Sequence, residues 1–113
     1  MVVLHVDLQS KPAAGSALEQ TFREAFRPAL QAQPGFVETA LLHSGSETDS
    51  YRLVIAFESE PLRLKWVATD LHQQVWPMLA AHCAGYSVKN FAVSGIGATH
   101  RAASKTWRRA RCC

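Results

Sequence analysis

The chain has 113 residues and a mass of 12.5 kDa, the size of one domain, which excludes an enzyme with separate cofactor and substrate lobes. Apolar residues make up 48% and charged residues 19%, a globular balance that excludes a disordered chain. No apolar stretch approaches the ~18 residues of a spanning helix, and no signal peptide is apparent, so we expect a cytoplasmic protein without a membrane partner.

The positive charge is concentrated at the C-terminal end. Residues 98–113 contain five basic and no acidic residues, whereas residues 1–97 contain seven basic and nine acidic residues, a net charge of −2. A basic patch can bind phosphates, but charged chain ends are more often solvated extensions, and we favour that interpretation over nucleic-acid binding. We therefore predict a domain at 1–97 followed by a basic tail at 98–113.

The first predicted elements are a strand and a helix. Residues 2–9 alternate between an apolar side and a side that carries His5 and Asp7, which predicts a strand with one buried face. Ser16 with Glu19 matches a capping box, so a helix is expected from there to about residue 33. Pro28 is expected to bend this helix, because its ring removes a hydrogen bond.

A hairpin and a second helical region follow. Residues 36–43 and 50–58 are strand-like and are separated by a polar loop, which predicts antiparallel pairing. Ser59 is a candidate cap for a broken helix over 60–82, with Asp70 as a second cap and Pro77 in the first turn of a further segment. A last strand is expected over 86–94.

The order βαββαβ predicts a ferredoxin-like α+β domain with a four-stranded antiparallel sheet and both helical regions on one face. The opposite face would be bare and of mixed polarity. Because large apolar patches usually find a partner, we predict a homodimer in which two sheets pack face to face.

The order and spacing of several motifs resemble the antibiotic biosynthesis monooxygenase superfamily of dimeric α/β-barrel proteins, over residues 2–94. The motifs are the step Gln33-Pro34-Gly35-Phe36 and the run Phe57-Glu58-Ser59-Glu60 that leads through Trp66 to His72. The family usually has Trp at the position of Phe57. The resemblance implies a dimeric α/β barrel whose members include cofactor-free oxygenases of aromatic phenols, haem-degrading enzymes and proteins with no known activity.

The haem-degrading branch is disfavoured. The resemblance places Asp7 where those enzymes have Asn, Trp66 where they have Trp, and Trp76 where they have an iron-ligating His. An indole offers only an N–H donor and cannot ligate iron. We therefore expect no haem, no metal and no other cofactor.

The candidate catalytic residues are His72, His5 and Asp7. A histidine of ordinary pKa can take up a proton near neutrality, so His72 is the natural base, although a hydrogen-bonded surface or interface histidine is an equal alternative. His5 and Asp7 are neighbours on one strand face, where the carboxylate would fix the imidazole tautomer. A structural interface pair is the alternative for these two.

The candidate substrate-binding residues are the aromatic side chains Trp66, Trp76, Phe57 and Phe36. Aromatic residues at such spacings are often simply core, but a flat aromatic ligand would gain ~0.5–1.5 kcal/mol per stacked ring. Two hypotheses remain open at this point. The first is a cofactor-independent monooxygenase acting on a small aromatic or polyphenolic compound, and the second is a ligand-binding or structural homodimer without turnover.

The tail is expected to contribute little to folding. It combines five basic residues with a thin apolar face around Trp107, and so short a helix would be marginal in water. Truncation after Gly97 should leave the melting temperature and the dimer mass nearly unchanged, as measured by differential scanning fluorimetry and light scattering. A large fall in either would identify Trp107 as a structural anchor.

Overall fold

The strands and helical regions follow one another along the chain in the predicted order βαββαβ. The computed structural model describes residues 1–97, so the predictions for the tail lie outside the described residues. Its elements are β1 (Val2–Ser10), α1 (Gly15–Thr21), a π-helical segment (Phe22–Phe26), α2 (Arg27–Gln31), β2 (Phe36–His43), β3 (Ser50–Phe57), α3 (Glu60–Val67), α4 (Asp70–Ala80) and β4 (Cys83–Ala92). The strands pair antiparallel in the order β2-β3-β1-β4. The predicted ferredoxin-like α+β fold is confirmed.

The helices cover one face of the sheet, and the core lies between the two. Leu4, Val6 and Leu8 of β1 are buried on this face, as the alternation predicts. The other face, which we call the open face, has no helix over it within residues 1–97. The strand register places the following residues there: Val3, His5, Asp7, Gln9, Glu38, Ala40, Leu42, Arg52, Val54, Ala56, Ser87, Lys89 and Phe91.

The first helical region differs from the prediction at its start. Ala14 is the N-cap residue, and no side chain caps this terminus. The predicted capping box is not formed because this N-cap lies two residues before the predicted one, which leaves Ser16 inside the first turn. The Glu19 carboxylate instead accepts a hydrogen bond from the Tyr51 hydroxyl at 2.7 Å, which ties the helix to β3. The region ends at Gln31, two residues earlier than expected.

A π-helical segment precedes Pro28. The Arg27 N–H bonds to the carbonyl of Phe22, five residues earlier, instead of the usual four. A proline has no N–H, and its ring clashes with the carbonyl four residues before it in a regular α-helix. The wider π-helical turn lies at the residues where this clash would occur. It also turns Phe22 and Phe26 into the core, where both are buried.

The second helical region is broken, as predicted, but at a different point. Ser59 accepts the N–H of Leu62 and caps α3, which confirms that prediction. The second cap is Thr69, one residue before the predicted Asp70, and it accepts the N–H of His72 at 3.1 Å. Pro77 lies inside α4 rather than at the start of a segment. Within residues 1–97, no helix is both long and apolar enough to cross a bilayer.

The last strand begins earlier than predicted. It starts at Cys83 and ends at Ala92, because Gly85 pairs with Gln9 inside the ladder and does not interrupt it. The strand lies at the edge of the sheet and its side chains are largely exposed, including Tyr86 and Val88 on the helix-covered side. This edge therefore leaves an opening beside the helices.

Position 35 requires glycine because of its backbone conformation and because a neighbouring side chain leaves no space for a Cβ atom. Its φ is +79°, and a Cβ at this position would overlap Cδ1 of Leu62 and lie only 3.0 Å from the Cβ of that residue. Replacement of Gly35 by alanine should lower the free energy of unfolding by about 1–3 kcal/mol, because it combines a left-handed backbone with overpacking. Urea denaturation would measure this change. Gly45→Ala is the matched control, since no atom lies within 4 Å of its added Cβ, and an equal loss in both variants would contradict the explanation.

Candidate functional site

A cavity of about 260 Å³ lies between the helix-covered side of the sheet and the pair α3 and α4. Its walls are mainly aliphatic and aromatic, and it opens toward β4. The lining residues are Leu4, Val6, Phe26, Ile55, Arg63, Trp66, Val67, His72, Trp76, Tyr86 and Val88. Apolar walls with a few polar groups are typical of small-molecule sites. Three of the predicted site residues meet here, namely His72, Trp66 and Trp76.

The turn between α3 and α4 brings His72 over Trp66. Thr69 holds this turn at both ends, because its hydroxyl donates to the Trp66 carbonyl at 2.7 Å and accepts the His72 N–H. The two rings consequently meet edge to face, with centroids 5.0 Å apart and planes at 84°. Trp66 is buried, and its ring packs edge to face against Phe26 at a centroid distance of 6.2 Å. His72 therefore rests on a rigid aromatic wall.

The His72 imidazole is only partly exposed, and this burial lowers its pKa below the usual 6.5. Burial acts this way because it disfavours the charged imidazolium. The Gln73 side-chain nitrogen lies 3.3 Å from Nδ1 and also donates to the Val67 carbonyl at 3.0 Å. In this arrangement Nδ1 accepts a hydrogen bond, so the proton of the neutral ring is on Nε2. His72 thus offers both a basic nitrogen and an N–H donor.

Trp76 forms the wall of the cavity beside β4. Its ring contacts Phe26 at a centroid distance of 6.4 Å and Tyr86 of β4 at 5.1 Å, both edge to face. This is the position at which the resemblance to haem-degrading enzymes would require an iron ligand. The indole instead packs between two rings, and its N–H has no lone pair for a metal. The residue serves as a wall in this cavity.

Arg63 is a site residue that the sequence interpretation missed. Its Nε and Nη2 donate to the two carboxylate oxygens of Glu60 at 2.8 and 2.6 Å. Asn90 of β4 also donates to both oxygens, each at 3.3 Å. The Arg63 hydrogen bonds, assisted by those of Asn90, lower the pKa of Glu60 to about 2. The spacing of Glu60 and Arg63, three residues apart on one helix, is the signal that could have revealed the pair.

His5 and Asp7 do not join this cavity, because β1 places them on the open face. Asp7 accepts from Arg52 at 2.7 Å, and this hydrogen bond lowers the pKa of the carboxylate. The His5 ring instead packs edge to face against Phe91, with centroids 5.2 Å apart. The two residues are neighbours on one face, as predicted, but the partner of the carboxylate is Arg52.

Phe36 and Phe57 are in contact with each other and not with the cavity. Their centroids are 6.2 Å apart with planes at 81°. Phe57 is fully buried, and Phe36 packs on the core from the start of β2. Both are core residues and do not line the cavity, in agreement with the alternative interpretation that aromatic residues at these spacings form the core.

A larger and more open concavity of about 520 Å³ lies at the hairpin end of the sheet. Its lining mixes polar and apolar side chains and includes the Asp7 and Arg52 pair together with His43 and Glu47. We assign the candidate site to the smaller cavity, because a flat aromatic ligand needs apolar walls and because His72 is located there. Within residues 1–97, no three His, Cys, Asp or Glu side chains cluster as metal ligands would.

Comparisons with known proteins agree with this architecture. The family model described as antibiotic biosynthesis monooxygenase matches residues 1–76. SnoaB, a cofactor-independent oxygenase from Streptomyces nogalater, is 18% identical with a TM-score of 0.73, and the match covers 87% of this chain and 98% of SnoaB. A conserved protein from Methanosarcina mazei Go1 is 9% identical with a TM-score of 0.71, covering 80% of this chain and 89% of that one. At these identities the structural similarity shows the fold. No curated protein matches the sequence.

Proposed function

Because the chain belongs to the antibiotic biosynthesis monooxygenase family, we propose that it is a cofactor-independent monooxygenase that oxidises a small aromatic or polyphenolic compound with dioxygen. The reaction would take place in the cavity bounded by Trp66 and Trp76. The observation that carries the proposal is the position of His72, a partly buried imidazole with a lowered pKa that lines an otherwise mainly apolar, aromatic-walled space.

Such a space suits the first step of the reaction. His72 is neutral at pH 7, since its pKa lies below 6.5, and it can therefore accept a proton from a phenol or enol. A substrate hydroxyl that displaces the weak Gln73 contact would meet the lone pair of Nδ1. The Nε2 hydrogen would then remain as a donor to a reduced oxygen species. The aromatic walls would hold the substrate ring in a fixed orientation.

The overall chemistry balances without an external reductant. The deprotonated substrate supplies electrons to dioxygen, a C–O bond forms at an activated methylene carbon, and the O–O bond breaks. One oxygen atom remains as a new carbonyl and the other leaves as water with the two hydrogens of the methylene group. His72 takes the proton at the start and returns it to the departing oxygen. An anthrone would give an anthraquinone by this route.

Oxygen consumption with a panel of anthrones and hydroquinones tests the proposal. We expect uptake above that of a heat-treated control, with one water and one quinone formed per dioxygen consumed from an anthrone. Absence of uptake together with tight binding of an aromatic compound would contradict turnover and favour the alternative, a ligand-binding homodimer. Mass spectrometry of the quinone formed under ¹⁸O₂ would determine whether its new carbonyl oxygen comes from dioxygen.

We further propose that the active form is a homodimer packed through the open faces. Phe91, Leu42 and Val54 contribute apolar surface there, and Phe91 and Leu42 are about half exposed. The Asp7 and Arg52 pair satisfies two of the charges that such an interface would bury, and Glu38 and Lys89, which carry opposite charges, lie on the same face. A face of mixed polarity that exposes large apolar side chains is suited to self-association.

Replacing Phe91 with glutamate should convert the dimer into a monomer of about the 12.5 kDa chain mass, because two carboxylates would be buried without partners at the interface. Multi-angle light scattering measures the mass directly. Leu64→Glu is the matched control, since Leu64 is similarly exposed but lies on α3. A dimer that persists in the Phe91 variant, or dissociates equally in both, would contradict this interface.

A further inference from the structure

We infer that the cavity selects aromatic substrates that carry a carboxylate group, and that Arg63 binds this group. The inference rests on the proposed function, since it concerns the same cavity. Among the described residues that line this space, Arg63 is the one with a permanent charge, and none is acidic. The lining therefore has a cationic character in an otherwise mainly apolar wall.

The two charges of the Arg63 and Glu60 ion pair are not equally exposed to solvent. The Arg63 side chain is 15% exposed, whereas that of Glu60 is 39% exposed. Water consequently screens the carboxylate more than the guanidinium, and the pair presents its positive end to the cavity. An anionic ligand can therefore gain from Arg63 without an equal penalty from Glu60.

The hydrogen bonds of Arg63 also fix its orientation. Glu60 engages Nε and Nη2, and Asn90 anchors Glu60 from the neighbouring strand. Both hydrogens of Nη1 and one of Nη2 are not used by Glu60, and these form a planar set of donors. A planar donor set held in place matches a carboxylate better than a single oxygen atom.

The size of the cavity limits the rest of the ligand. A volume of about 260 Å³ lies just below the range usual for ligand pockets, which suits up to three fused rings rather than a larger polycycle. His72 adds the requirement for a hydroxyl group whose proton it can accept. The substrate class is therefore an aromatic carboxylate of one to three fused rings that carries a phenolic or enolic hydroxyl group.

The test compares 1-hydroxy-2-naphthoate with 1-naphthol, which differ by the carboxylate. Binding is measured by isothermal titration calorimetry under argon with the full chain, so that no turnover is needed. We expect the wild-type protein to bind the carboxylate about tenfold or more tightly than the naphthol. Arg63→Gln should reduce this preference to about twofold or less, and Arg63→Lys should retain part of it because the charge is kept. Arg27→Gln removes an exposed charge from α2 and should retain the full preference.

Equal binding of the two compounds by the wild-type protein would overturn the inference. A full preference in a folded Arg63→Gln variant, as judged by circular dichroism, would overturn it as well. If that variant does not fold, the wild-type ratio and the Arg63→Lys variant decide the question. Oxygen uptake with a neutral anthrone is measured separately. Uptake without a carboxylate preference would defeat this inference alone, and a preference without uptake from any substrate would defeat only the proposed oxygenase function.

Discussion

Replacement of His72 by glutamine is expected to lower kcat for oxygen uptake by about 100-fold to 10,000-fold, the usual contribution of a positioned general base. Glutamine keeps a polar side chain at the edge of Trp66 but cannot hold a proton in the neutral range. Stopped-flow or oxygen-electrode kinetics with a responsive anthrone would measure the loss. The control is His43→Gln, because His43 is an exposed histidine that stacks on Tyr51 outside the cavity. An equal fall in both variants would point to a general loss of structure.

The pH dependence provides a second measure of the same role. Burial lowers the pKa of His72 below 6.5, so the basic form already predominates at neutral pH. The value of kcat/KM should rise with pH through this lowered pKa of the free protein and then remain constant. The pKa shift also favours the folded state above pH 6.5, and this contribution is lost as the pH falls through the folded-state pKa. A rate that is independent of pH between 5 and 7 would argue against His72 as the base.

The fold could be predicted from the sequence because its main signals are local. The alternation in β1 and the cap at Ser59 require only a few neighbouring residues, and both predictions are confirmed. The capping box of Ser16 and Glu19 is not formed because the helix begins two residues earlier than predicted. Tyr51, which is 32 residues away, engages the Glu19 carboxylate. A short local pattern cannot reveal such a long-range contact.

The candidate site was predictable only in part, for the same reason. His72 and Trp66 are close in sequence, and the helix break that unites them was expected. Asp7 pairs with Arg52, which is 45 residues away, so its partner follows from the strand register rather than from the His5 neighbour. The cavity itself depends on β4 being open at the sheet edge, which only the three-dimensional arrangement shows.

Phe26 belongs to the core and also lines the cavity, so its truncation should have a large effect on stability. It is 1% exposed and lies under both Trp66 and Trp76 from the π-helical segment. Phe26→Ala should lower the free energy of unfolding by about 3–5 kcal/mol, because apolar contacts are lost and a void remains beside the existing cavity. That is a large part of the 5–15 kcal/mol typical of a domain.

Urea denaturation at a fixed protein concentration would measure the loss caused by Phe26→Ala, and Phe26→Leu is the matched variant with a smaller expected loss. The alanine variant should also bind 1-naphthol more weakly, because Trp66 and Trp76 would no longer be held at fixed angles by the ring between them. A loss below about 1 kcal/mol in the alanine variant would show that the helices collapse into the space. In that event the rigidity of the aromatic walls would have to come from Thr69 and Tyr86 instead.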